Sequence, residues 1–134
     1  MTDLVDIEGI ADAFAAKLHA AGVGSVEELL SQGATPDGRA KIVEDSGISH
    51  AHILKWVNHA DLFRINGVAG EYAELLEAAG VDTVVELGGR NAENLTEKLE
   101  AVNEAKHLVR QVPALSAVTK WIAQAKELPR VVSY

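Results

Sequence analysis

Apolar residues recur along this chain at three- and four-residue spacing, which predicts helices throughout and no strand. Phe14 and Leu18 fall on one helical face, as do Tyr72, Leu75 and Leu76 further on. Gly22 and Gly80 stand where a left-handed helix C-cap is wanted. Ser25-Val26-Glu27-Glu28 and Thr83-Val84-Val85-Glu86 read as capping boxes. They open short helices that end near Gly33 and near Gly88-Gly89. Thr35-Pro36 opens a helix carrying Ile42 and Val43, which stops at Gly47. Ser49 caps a longer one through Ile53, Leu54, Trp56, Val57 and Ala60. Asn91 caps a helix with Leu95, Leu99 and Val102, followed by a less regular stretch, 103–114. Ser116 is then expected to cap a last helix carrying Val118, Trp121, Ile122 and Ala125.

The pattern is written twice. The stretch from Ile7-Glu8-Gly9-Ile10-Ala11 to Leu29 returns from Ile65-Asn66-Gly67-Val68-Ala69 to Leu87 at a constant offset of 58, with 12 of the 24 positions from 7 to 30 identical. Identity at that level within a short chain indicates duplication. Lys55-Trp56-Val57 returns as Lys120-Trp121-Ile122 at an offset of 65, so the second copy is longer, and its insertion lies between 88 and 118. The recurrence of the tryptophans favours core packing over exposed partner anchors. The copies divide the chain at 1–64 and 65–134.

Composition adds the compartment. The 134 residues suit one compact domain or two halves sharing a core. No apolar run approaches the ~18 residues of a membrane span, and no secretory leader is recognisable, so a cytoplasmic protein without membrane contact is expected. The absence of cysteine removes disulfides, thiol catalysis and thiolate metal sites.

Charge bears on partners. The net charge of −8 weighs against nucleic acid, whose affinity comes mainly from basic groups neutralising phosphates. Residues 1–37 carry seven acidic side chains against Lys17, whereas 105–134 carry Lys106, Arg110, Lys120, Lys126 and Arg130 against Glu127. Turn 65–69 has a helix on both sides, but turn 7–11 has only six residues before it. Helix 116–127, the mate of 50–63, is therefore expected to close against the first turn, within the chain or across a swapped dimer.

The repeated pattern Ile-x-Gly-Ile/Val-Ala … Leu-x-Ala-Ala-Gly-Val-x-Ser/Thr-Val-x-Glu-Leu resembles the helix-hairpin-helix motif of DNA ligases, topoisomerases, repair nucleases and the RNA polymerase alpha C-terminal domain. The whole chain resembles an uncharacterised bacterial family of tandem helix-hairpin-helix proteins, a domain of unknown function. The resemblance implies an all-α fold, similar to sterile-alpha-motif domains, with two repeats packed as one pseudo-twofold domain. It also implies DNA binding, in which a Gly-x-Gly hairpin brings the next helix's N-terminal N–H groups to a phosphate. The first glycine of that pair stands here as Gly9 and Gly67; the second is replaced by Ala11 and Ala69. Glu8 and Asp12 flank the first hairpin and oppose an anion there. The second, with Arg64, Gly67, Val68, Ala69 and Gly70, is the better phosphate contact, although Glu71 follows.

Other candidates give less. His50, His52 and His59 lack the spacing of a metal site and are expected at the surface. The pairs Glu27-Glu28 and Glu44-Asp45 read as solvated helix surface. No nucleophile triad, paired-carboxylate arrangement or phosphate loop is recognisable, so neither an enzyme nor a cofactor is expected. Residues 128–134 read first as a frayed end and second as a docking peptide. The function expected is a non-catalytic interaction or assembly module that holds a protein partner. Its sites would be the hairpins (Gly9, Ile10, Ala11 and 67–70) and the basic surface of Lys106, Arg110, Lys120, Lys126 and Arg130. The alternative is weak, sequence-independent DNA binding through the second hairpin and the basic helices.

Overall fold

The computed structural model describes residues 1–134, and the chain is all-α with no strand. A 3-10 turn, Leu4–Asp6, precedes eight helices: α1 (Asp12–Ala20), α2 (Val26–Gln32), α3 (Pro36–Ser46), α4 (His50–Leu62), α5 (Gly70–Ala78), α6 (Val84–Gly88), α7 (Ala92–Lys106) and α8 (Leu115–Glu127). They form two compact units, residues 1–61 with 131–134, and residues 62–130. No helix is long and apolar enough to cross a membrane.

The duplicated sequence makes duplicated hydrogen bonds. At the end of α1 the Val23 N–H donates to Leu18 O (2.9 Å) and the Gly22 N–H to His19 O (3.0 Å). At the end of α5, Val81 donates to Leu76 O (2.9 Å) and Gly80 to Glu77 O (2.9 Å). This Schellman closure needs a positive φ at the glycine, and Gly22 and Gly80 have φ of 86° and 91°. A side chain at the same repeat position supports each end. Gln32 Nε2 donates to Gly22 O (3.0 Å), and Arg90 Nη2 donates to Gly80 O (2.9 Å).

Capping hydroxyls stand where the sequence places them. Ser25 Oγ accepts from the Glu28 N–H (3.1 Å) and Thr83 Oγ1 from the Glu86 N–H (3.4 Å). Thr35 and Asn91 cap α3 and α7 in the same way. The reciprocal half of the capping box differs. The Glu86 carboxylate accepts from Asp82, one residue ahead of the cap, and Glu27 rather than Glu28 accepts from the Thr2 N–H (2.7 Å). Ser116 does not cap α8; the cap residue is Ala114, which makes no side-chain bond. The buried Pro113 sets where the chain turns into the helix, ahead of the serine.

In the first unit Ile7, Leu18, Leu29, Ile53 and Trp56 are inaccessible to solvent. In the second, Ile65, Leu76, Leu87, Leu99, Val118 and Trp121 belong to one apolar cluster. Both tryptophans are thus core residues. The second copy's extra length goes into α7, with 15 residues against 11 in α3, and into loop 107–114. Asn103 holds that loop by accepting from the Val109 N–H (2.9 Å) and donating to Val109 O (3.1 Å).

Two expectations are corrected. Helix α8 packs on α6 and α7 of its own unit, and through Trp121 it backs the turn at Gly67. The turn at Gly9 is backed by Trp56 of α4. Burying Val118, Trp121, Ile122 and Ala125, worth roughly 1.5–3 kcal/mol for each large side chain, outweighs exposed charge pairs worth roughly 0–1 kcal/mol each. The second correction concerns the frayed end. Segment 131–134 is docked into the first unit, where Val132 is 2% exposed and the Ser133 N–H donates to Ala34 O (2.8 Å).

Candidate functional site

Each glycine turn is built from two apolar plugs and a glycine tip. In the first, the Ile7 N–H donates to Leu4 O (3.0 Å) and the Ile10 N–H to Ile7 O (3.1 Å). In the second, Ile65 donates to Leu62 O and Val68 to Ile65 O, both at 3.1 Å. Ile7, Ile10, Ile65 and Val68 are buried, whereas Gly9, Ala11, Gly67 and Ala69 are exposed and Gly70 is buried. Gly9 and Gly67 have φ of 95° and 94°, which only glycine adopts readily. A Cβ on Gly9 would lie 3.3 Å from Trp56 Nε1, and one on Gly67 3.1 Å from Trp121 Nε1.

The helices that follow the turns, α1 and α5, have Ala11 and Ala69 at their caps and no side-chain cap bond. Their first-turn N–H groups therefore lack the hydroxyl or amide partner that α2, α3, α6 and α7 have. What surrounds them sets the electrostatics. At the first turn Glu8 and Asp12 are exposed, and Asp3, Asp12 and His19 line a cleft of about 260 Å³ beside it. At the second, Glu71 is exposed in the first turn of α5.

The second turn is also tied to its own unit. Arg64, half-buried, donates from Nη2 to Pro129 O (2.7 Å). Gln124 Oε1 accepts the Asn66 N–H (3.0 Å). The basic residues Lys106, Arg110, Lys120, Lys126 and Arg130 are all exposed. They are spread over the end of α7, loop 107–114, α8 and the segment beyond it. Lys120 and Lys126 are not at the three- or four-residue spacing that shares a helix face.

Aromatic rings flank both turns. In the first unit the His52 ring stacks on Trp56 at 5.2 Å with 6° between planes, and Phe14 meets both edge-on. In the second, Ala117 holds the place of His52, and Tyr72 lies 5.4 Å from Trp121. A cleft of about 300 Å³ opens there, lined by Gly67, Tyr72, Pro113, Ala117 and Trp121. The expectation of surface histidines is corrected for His59, which is fully buried. The last turns of α4 are enclosed on every side, from Trp56 to Leu62. No group of three His, Asp or Glu side chains is placed to hold a metal ion.

A family model described as a domain of unknown function, DUF4332, matches residues 8–128. The chain belongs to the DUF4332 family. No curated protein and no solved structure matches it. The DUF4332 match runs from the first turn through α8 and leaves Pro129–Tyr134 outside.

Sequence reasoning missed a deeply enclosed ionic side chain. Arg39 of α3 is 2% exposed and donates from Nη1 to Gly33 O (2.9 Å) and Ala34 O (3.2 Å), and from Nη2 to Ser133 O (2.7 Å). Its signal was faint: an arginine following Pro36-Asp37-Gly38 in a polar helix start.

Proposed function

We propose that this DUF4332 chain is a non-catalytic interaction module, built from two helix-hairpin-helix repeats, that holds a protein partner. The observation that carries this reading is where the phosphate-reading groups go. A DNA-binding hairpin keeps a nearby cation free for phosphate and carboxylates away from its tip. Here the Arg64 guanidinium donates to Pro129 O and the Asn66 N–H to Gln124, while Glu8 and Asp12 flank the first tip. The scaffold of turn, tryptophan and capped helix is kept in both copies, so its value is structural. What it offers outward is helix surface and an aromatic-lined cleft.

A second reading, weak nucleic-acid binding at turn 65–70, is favoured by one observation, the uncapped first turn of α5. A titration of the chain against fluorescent duplex and single-stranded DNA at low and moderate salt separates the two. No binding at low salt supports the module reading. Micromolar affinity that falls steeply with salt and is abolished by Arg64→Glu overturns it in favour of the second.

A further inference from the structure

Segment Val131–Tyr134 meets the first unit as a bound peptide meets a receptor. It lies outside the helices and is separated along the chain from the rest of that unit by residues 62–130. Its contacts divide among its last three residues. Val132 is the anchor, 2% exposed. Ser133 supplies the backbone bonds, its N–H donating to Ala34 O (2.8 Å) and its carbonyl accepting from Arg39 Nη2 (2.7 Å). Tyr134 lays its ring 5.7 Å from the Arg39 guanidinium and donates from its hydroxyl to Asn58 Oδ1 (3.0 Å). A buried aliphatic anchor, two bonds to the segment's main chain and an aromatic ring beside a cation are the parts of a peptide-recognition groove.

Arg39 makes the cradle costly as a mere fastening. It is buried, its partners are carbonyl oxygens and the tyrosine ring, and its Nε has no acceptor. A buried guanidinium without a carboxylate beside it is unfavourable, and an aliphatic residue would serve better if packing were the only purpose. The planar fork instead bridges the carbonyls that end α2 to the carbonyl of an incoming extended chain. The segment itself lies beyond the region matched by the family model, whereas the cradle lies within it.

We propose that the Arg39 cradle of the first unit is a peptide-recognition site, filled here by the chain's own Val131–Tyr134. It takes from a partner protein an extended segment of the same chemistry, a β-branched aliphatic residue followed by serine and tyrosine. This deepens and rests on the interaction-module reading. The resident segment competes with any partner, because its tether makes its own binding intramolecular.

The test uses the full chain carrying Val132→Asp, which unseats the resident segment, and a fluorescent hexapeptide with the sequence of Pro129–Tyr134 as probe. Ser133→Pro, which removes the N–H that Ala34 accepts, is the second variant should the first fail to fold by circular dichroism. The folded variant is expected to take up the peptide saturably, with an apparent affinity about tenfold or more above that of the unaltered chain. N-methylation of the peptide's serine, a change that leaves the protein untouched, should abolish uptake. Absence of uptake by a folded variant, or equal uptake of the N-methylated peptide, overturns the cradle. Concentration-dependent dimerisation of the unaltered chain without peptide uptake also overturns it, assigning the groove to exchange between copies. None of these failures touches the module reading, which the DNA titration decides separately.

Discussion

Gly67 rests against the indole nitrogen of Trp121 so closely that a Cβ on the glycine would stand 3.1 Å from it. Gly9 and Trp56 repeat the relationship at 3.3 Å. Each turn is therefore shaped twice, once by a positive φ and once by the ring beneath it. Gly9→Ala and Gly67→Ala are expected to lower stability by about 1–2 kcal/mol each from the left-handed backbone alone. Urea unfolding of the two variants measures this. A loss below a few tenths of a kcal/mol in either would show that the turn relaxes without the glycine.

Gly38 makes the opposite kind of demand. It lies in the first turn of α3 with ordinary helical geometry, where alanine would gain about 1 kcal/mol of helix propensity. A Cβ there would overlap the carbonyl oxygen of Gln32, which is backbone and cannot swing aside. Gly38→Ala is expected to destabilise by about 1–3 kcal/mol despite the propensity gain. A neutral or stabilising result would mean that α2 and α3 separate freely.

Local chemistry was legible in the sequence, and partner choice was not. A hydroxyl at a cap and a glycine at a C-terminus act on groups within four residues, so Ser25, Thr83, Gly22 and Gly80 could be placed correctly. Which turn α8 covers depends on the fit of apolar faces far apart in sequence. The visible signal, an acidic start and a basic end, pointed to the weaker force. The cradle was hidden for a related reason. Arg39 reads as one polar residue in a polar helix start, and only the fold brings residues 34, 39, 58 and 131–134 together. Likewise His59, seven positions from His52, follows the Trp56 side of α4 into the core.

Gln32 and Arg90 hold the same repeat position and make the same bond, to Gly22 O and Gly80 O. Both bonds are exposed, so Gln32→Ala and Arg90→Ala should each cost at most about 0.5–1 kcal/mol. The two losses should add, because the bonds share no partner. Thermal unfolding of the single and double variants checks both points. A loss well above that sum would reveal coupling that the hydrogen bonds do not account for.

Arg39→Lys separates the two jobs of the cradle. A lysine ammonium has no fork with which to reach Gly33 O and Ser133 O together. The substitution is expected to release residues 131–134 while leaving α2 and α3 formed, at a cost of about 1–3 kcal/mol. Amide exchange reads this directly: the Ser133 N–H should lose its protection, and the amides within α3 should keep theirs. Unchanged protection at Ser133 would show that Val132 and Tyr134 hold the segment without the guanidinium.

The N-terminal residues carry a pH-dependent clasp. The Thr2 N–H donates to Glu27 Oε1 (2.7 Å), and Thr2 O accepts from the Val26 N–H (3.0 Å). The bond from Thr2 stabilises the carboxylate and lowers the Glu27 pKa below its ordinary value. A depressed carboxyl pKa stabilises the clasped state above the ordinary value near 4.3, and that contribution is lost as the pH falls through the lowered value. The side chain is exposed, so the effect is local rather than global. As the pH falls from neutral through the lowered value, the amide resonances of Thr2 and Val26 should shift together as the clasp opens, with the rest of α2 unmoved. Glu27→Gln should mimic the acid form at neutral pH. If the two resonances are insensitive to both acid and the substitution, the carboxylate is not what holds residues 1–3 to α2.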